Sequence, residues 1–267
     1  MNLINLLKTG FVVLSFILCN TGHCDGLQFI NAPKSLFGSK DPTTIYTFSN
    51  PNARATIIFF PGGDGSFKIN DNIKNHKGLP RMLQMIADAG YNVVFVDSPY
   101  PLLESGPGGY PAMRDSGDHL DRMDSVLKHH QGQNLPIWLM GHSNGSFTVS
   151  SFFRRLQKEH RTKEISGIIL SGTRNVAKFQ DSMDTNVVFV HHEKDGCVNT
   201  LYRDAVNNYN KVKSVNQGPT AFITITGGSG GSIPGGNGLP SGPCYSGYHM
   251  YYDAHTETVQ NILSKLP

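Results

Sequence analysis

Ile137-Trp138-Leu139-Met140-Gly141-His142-Ser143-Asn144-Gly145-Ser146-Phe147 decides the fold of this chain. Four apolar residues lead into a glycine, a serine stands between two glycines, and the residues up to about Lys158 have helix-forming character. That order predicts a buried strand, a sharp turn and a helix, with Ser143 at the turn. A serine so placed takes a strained backbone conformation. Side chains at positions 141 and 145 would collide with the adjoining strand and helix, a reason for glycine at both. The helix start adds a positive field and unpaired N–H groups beside the hydroxyl, where an oxyanion can form. The plainer alternative is that the glycines only let a strand pass closely into a helix, with Ser143 as its cap. The same G-x-S-x-G pattern recurs at Gly227-Gly228-Ser229-Gly230-Gly231, also behind an apolar strand, so the pattern alone selects nothing. Ile233-Pro234-Gly235-Gly236 follows it and cannot form a helix, which leaves Ser143 as the candidate nucleophile.

Outward from this stretch, strands and helices alternate. Residues 43–48 and 55–60 are β-branched and aromatic runs that read as two strands around the turn Asn50-Pro51-Asn52. Leu79, Met82, Leu83, Ile86 and Ala89 fall at helical spacing before Gly90, and 93–96 is a continuous apolar strand. Leu120, Met123, Val126 and Leu127 predict a second helix. Strands follow the nucleophile helix at 167–170, 187–190 and 221–226, with a helix from Leu201 to about Tyr209 and a closing helix at 257–266. Continuous apolar strands are buried on both faces, so the fold class is α/β, a mostly parallel central sheet with helices on both sides. Two Gly- and Pro-rich stretches, 97–118 and 227–247, hold no predicted regular element.

This arrangement resembles the α/β-hydrolase superfamily over about 43–267, and the chain looks most like the small secreted, esterase-like serine hydrolases of bacteria. The resemblance implies a nucleophile, an acid and a base in that chain order, with no cofactor. Asp195 stands in the loop leaving the second strand after Ser143, where the family's acid lies, with Glu193 as runner-up. The base follows the last strand, and of the 11 histidines only His249 and His255 lie there. Asp253, Thr256 and Glu257 look like the cap of the final helix, which puts His255 in its first turn and His249 in the preceding loop, the better place for a base. The oxyanion donors would be the backbone N–H of Asn144 and that of Gly63 or Asp64, in the loop Phe60-Pro61-Gly62-Gly63-Asp64. Proline stands there where the family usually has histidine.

Composition and charge bound the remaining possibilities. The 267 residues carry a net charge of only +3, too little for an electrostatic nucleic-acid binder. Residues 1–24, with Lys8 before an apolar run at 11–19 and small or polar residues after it, have the order of a secretory signal, leaving 25–267 as one catalytic domain exported to the periplasm or beyond. No later apolar run is long enough to span a membrane. In an oxidising compartment Cys197 and Cys244 are expected to pair as a disulfide, tying the acid loop to the base loop. Asp115, Asp118, Asp121 and Asp124, interleaved with Arg114 and Arg122, read as a solvated helix face rather than a cation site. No zinc-ligand spacing is present. The substrate would be a small-molecule or polymeric acyl compound, an ester first, with amide, polyester and thioester sharing the same chemistry. A binding protein on the same scaffold, in which Ser143 never acylates, is the rival.

Overall fold

The computed structural model describes residues 25–33, 39–75, 78–105, 109–231 and 242–267. The expected export segment and residues 232–241 of the second Gly-rich stretch lie outside the described residues. Eight strands, β1 (Gly26–Ile30), β2 (Thr43–Phe48), β3 (Thr56–Phe60), β4 (Asn92–Asp97), β5 (Ile137–His142), β6 (Gly167–Ser171), β7 (Asn186–His192) and β8 (Thr220–Ile225), form one sheet in the order β1-β2-β4-β3-β5-β6-β7-β8. The six strands from β4 and β3 through β8 are parallel, while β1 and β2 run antiparallel at one edge. The helices are α1 (Leu79–Asp88), α2 (Gly117–Gln131), α3 (Asn144–Lys158), α4 (Tyr202–Val215) and α5 (His255–Leu263). Short 3-10 turns at Ala112–Asp115 and Pro243–Tyr245 lie within the two Gly-rich stretches.

Strand alternation explains the layers. Ile57, Phe59, Val93, Phe95, Trp138 and Met140 point to one side and pack with α1 and α5. Ile58, Phe60, Val94, Val96, Ile137 and Leu139 point to the other and pack with α2, α3 and Val212 of α4. Each apolar residue buried in these layers contributes roughly 1.5–3 kcal/mol relative to exposure. The predicted mostly parallel α/β sheet with helices on both faces is therefore the observed architecture.

The two strands read on either side of the Asn50 turn are both present, as β2 and β3, and β4 lies between them in the sheet. Their connection is fastened to the start of β4: Asn50 N–H donates to Asn92 Oδ1 at 2.9 Å and Arg54 N–H to the Gly90 carbonyl at 2.9 Å. The last helix starts at His255, not after an Asp253 cap; Asp253 has φ 61° and its carboxylate accepts from Ser229 Oγ at 2.9 Å. The acid-rich face of α2 is not simply solvated. Asp118 pairs with Arg122 at 2.9 Å, Asp124 with Arg161 at 2.6 Å and Lys128 at 2.7 Å, and Arg114 and Arg122 are each 1% exposed. Arg122 is buried because it straps the entry to β2, donating to the Asp41 carbonyl at 2.8 Å.

The turn between β5 and α3 follows the sequence reading. Ser143 has φ 54° and ψ −123°, a conformation that costs a non-glycine residue of order 1–3 kcal/mol. A Cβ on Gly141 would overlap the Gly145 carbonyl, and one on Gly145 would overlap the Phe60 carbonyl at the end of β3. Both partners are backbone and cannot swing aside. Gly145→Ala is therefore expected to cost at least ~2 kcal/mol of stability, at the upper part of the range for overpacking, read as a shift in the urea unfolding midpoint.

Candidate active site

Ser143 sits at the carboxyl end of the sheet's centre, its N–H bonded to the Ser171 carbonyl of the next strand at 2.9 Å. His249, in the turn before α5, lines the same cavity as Ser143, and Asp195, in the loop after β7, stands behind its ring. His249 Nδ1 lies 2.8 Å from Asp195 Oδ2, with Asp195 5% and His249 2% exposed. The carboxylate can only accept, so Nδ1 carries the proton and Nε2 is left with its lone pair. Ser143 and His249 line one cavity of about 660 Å³. The hydrogen bond from Ser143 Oγ to His249 is the one contact of this set that is not formed; such contacts commonly tighten only when a substrate is bound.

The acid is held by more than the imidazole. Cys197 N–H donates to Asp195 Oδ1 at 2.9 Å, and Thr200 Oγ1 donates to Oδ2 at 3.0 Å. His191 accepts the Thr173 N–H at Nδ1, which puts its proton on Nε2, 2.6 Å from the Thr200 carbonyl and 3.2 Å from Asp195 Oδ2. Burial alone pushes the Asp195 carboxyl up, and the hydrogen bonds from His191 and His249 outweigh it, holding the carboxyl well below its ordinary range. Glu193, the runner-up, is exposed and 3.9 Å from Lys194 Nζ. His255 lies at the start of α5, and burial lowers its pKa.

His249 is braced by two residues that sequence reasoning did not place. The ring of His142 packs against it with centroids 4.8 Å apart, and burial keeps His142 well below its usual range, hence neutral. Tyr251, two residues beyond His249, is buried across the tops of β6 and β7. Its hydroxyl donates to the Val190 carbonyl at 2.9 Å and accepts from Ser171 Oγ at 2.9 Å and Gly172 N–H at 3.1 Å. Tyr110 and Tyr248 pack as well, on Phe147 and His192.

Cys197 and Cys244 are joined, with Cα atoms 4.4 Å apart. The bridge ties the residue two past Asp195 to the residue five before His249. Reduction of it is expected to lower stability by ~3–4 kcal/mol and to lower kcat, checked by urea unfolding and turnover with and without reductant.

The N–H groups of Asn144 and Gly63 have no hydrogen-bond partner among the described residues and belong to residues that line the cavity. Asp64, the alternative donor, does not line it. Behind these groups lies a polar lattice that the sequence did not reveal. Arg114 donates to the carbonyls of Gly62 at 3.2 Å and Gly63 at 3.1 Å, and to Thr148 Oγ1 at 3.0 Å. Asn144 Nδ2 donates to Gly63 O at 2.8 Å and Glu104 Oε1 at 2.9 Å, while Arg174 donates to Glu104 Oε1 at 2.8 Å and Asn144 Oδ1 at 2.6 Å. Phe67, Ile69, Ile73, Leu79, Phe95 and Met250 give the cavity apolar lining, with Lys68, Asn70 and Asn75 among them. The loop carrying Phe67 and Ile69 is pinned by Asp97, which accepts both their N–H groups.

The second G-x-S-x-G match has no such setting. It follows β8 in a loop, and Ser229 is bonded to Asp253 and the Tyr252 carbonyl.

The fold is similar to those of several solved structures. A dienelactone hydrolase from Anabaena variabilis is similar with a TM-score of 0.55 and 12% identity, covering 91% of this chain and 95% of its own. The chain has the α/β-hydrolase fold. Est1E from Butyrivibrio proteoclasticus is similar at a TM-score of 0.52 and 14% identity, over 90% of this chain and 99% of its own. Brefeldin A esterase, a bacterial homologue of human hormone-sensitive lipase, is similar at 0.56 and 14%, over 90% and 75%. No protein-family model matches the sequence, and no curated protein matches it. Among the described residues no helix is long and apolar enough to cross a membrane.

Proposed function

We propose that this protein is a serine hydrolase that cleaves an acyl bond, a carboxylic ester first, through a covalent acyl-enzyme. Ser143 Oγ attacks the acyl carbon while His249 Nε2 takes its proton, and Asp195 holds the resulting imidazolium by Nδ1. The N–H groups of Asn144 and Gly63 receive the negative charge that develops on the carbonyl oxygen. Collapse expels the alcohol, which takes the proton back from His249. Water, deprotonated by the same Nε2, then attacks the acyl group and frees the acid and Ser143. No cofactor is needed.

One observation carries this reading: a buried carboxylate fixes the tautomer of an imidazole that shares a cavity wall with a strained serine. The esterase and hydrolase names of proteins with the same fold agree with it. A cavity of about 660 Å³ is within the usual size for small-molecule sites, ~300–1,000 Å³, and its apolar lining suits the acyl or alcohol part of a neutral ester. The Cys197–Cys244 bridge supports export, since disulfides persist in oxidising compartments. The test is incubation with a fluorophosphonate probe. The expected result is one label per chain in the wild type and none in Ser143→Ala; equal absence in both would favour a binding protein on this scaffold.

A further inference from the structure

We infer that Arg114 is a positioning residue for the oxyanion site, setting the direction of the Gly63 N–H and tying it to the helix that carries the Asn144 N–H. The inference rests on the proposed acyl transfer and concerns how the site is held ready for it.

The peptide bond is planar and trans, so a carbonyl and the following N–H point in opposite directions. Anchoring Gly62 C=O therefore aims the Gly63 N–H, and anchoring Gly63 C=O aims the Asp64 N–H. One guanidinium nitrogen of Arg114, Nη2, holds both carbonyls, at 3.2 and 3.1 Å. The Gly62 carbonyl also accepts the Gly65 N–H at 3.1 Å, but that bond lies within the loop itself, which has two successive glycines, one of them at φ 56°, whose peptides reorient at little steric cost. The other nitrogen, Nη1, reaches Thr148 Oγ1 of α3 at 3.0 Å. A single rigid fork thus spans the two segments that supply the proposed donors. Asn144 closes the loop from the other side through its 2.8 Å bond to Gly63 O, and is itself clamped between Glu104 and Arg174.

The energetics favour a functional cause. Arg114 is 1% exposed and makes no ion pair among the described residues, and its Nε has no partner. Burial lowers its pKa, with the nearby Asp64 carboxylate opposing, so the fold carries the cost of a dehydrated cation. An apolar side chain would fill this space at less cost if packing were the only need. The packing around it is also committed: a Cβ on Gly65 would stand 2.9 Å from Arg114 Nη2. Lysine would substitute only in part, because one ammonium can reach a carbonyl but cannot reproduce a planar fork aimed at two carbonyls and a hydroxyl. The arginine also takes over the support of a loop in which Pro61 has no side-chain hydrogen bond to offer.

The test compares Arg114→Met, Arg114→Lys and Asn144→Ala with wild type on the best ester. Two inhibitors of matched shape are included, a trifluoromethyl ketone that forms an oxyanion adduct and an ether that cannot. For Arg114→Met we expect kcat to fall ~10- to 100-fold with KM within about threefold, less than or equal to loss of a donor itself. Affinity for the ketone should fall in parallel while affinity for the ether holds. Arg114→Lys should recover part of both losses, and Asn144→Ala should show a smaller loss of the same pattern. Retention of kcat and ketone affinity within about twofold in Arg114→Met would overturn the inference, as would equal loss of both inhibitors, which marks a merely structural role. If Arg114→Met does not fold, Arg114→Lys and Asn144→Ala decide on the same criteria. Fluorophosphonate labelling separates the two levels. A wild type that is not labelled overturns the acyl-transfer reading and this inference together, whereas a labelled wild type with an unaffected Arg114→Met overturns this inference alone.

Discussion

Ser143→Ala is expected to lower kcat about a millionfold on any ester the wild type turns over, and His249→Ala to do nearly the same. Hydroxyl and imidazole act as a unit: the hydroxyl is a poor nucleophile until Nε2 accepts its proton, and the imidazole has nothing to activate once the hydroxyl is gone. The double variant should therefore be about as slow as either single one, with the residual rate coming from the Asn144 and Gly63 N–H groups and from substrate binding. KM should change little, because both groups act on the transition state rather than on the bound ester. Stability should also hold in Ser143→Ala, since alanine keeps the Cβ and inherits the same φ of 54°. Turnover of the three variants beside their unfolding midpoints checks both parts. A multiplicative loss in the double variant would mean that the two side chains act independently.

Asp195→Asn is the second large effect, with kcat expected to fall about ten-thousandfold. An amide in place of the carboxylate presents N–H as well as C=O to its neighbours. Three donors besides His249 converge on Asp195, namely Cys197 N–H, Thr200 Oγ1 and His191 Nε2. They compete for the one remaining oxygen, and the amide N–H turned to His249 drives its proton to Nε2, the wrong tautomer for a base. Stability changes too, with a definite sign. The native carboxyl sits below its ordinary range, so it stabilises the fold at neutral pH, and that contribution fades as pH falls from about 5 through the depressed native value. The stability gap between wild type and Asp195→Asn should narrow from pH 7 to pH 3 in urea titrations.

Residues that work through local pattern were legible in the sequence. Gly141, Ser143 and Gly145 state a strand-turn-helix in eleven residues, and the rejected match at Gly227 to Gly231 shows that the helix after the serine is what carries the information. Asp195 and His249 were expected from the chain order that the resemblance implies, and the structure brings the two together at the carboxyl end of the parallel strands. Contacts that depend on partners far apart in the chain were not legible. Arg114 sits among acids and looks like part of a charged surface. Only the folded chain shows it turned inward onto Gly62 and Gly63, some fifty residues earlier. Arg174, Glu104 and Tyr251 carry no local signal either, since each acts through partners far away in the chain that only the topology brings near. The insertion of β4 between β2 and β3 has the same origin, since no local pattern shows that Asn92 captures the turn at Asn50.

The central claim, that Ser143 carries the acyl group, is tested most directly by rapid mixing with a p-nitrophenyl ester, acid quenching and intact-mass analysis. The account predicts a burst of one equivalent of nitrophenol per chain and a matching acyl mass confined to the peptide that contains Ser143. Turnover with no burst and no acyl mass, persisting in Ser143→Ala, would contradict it.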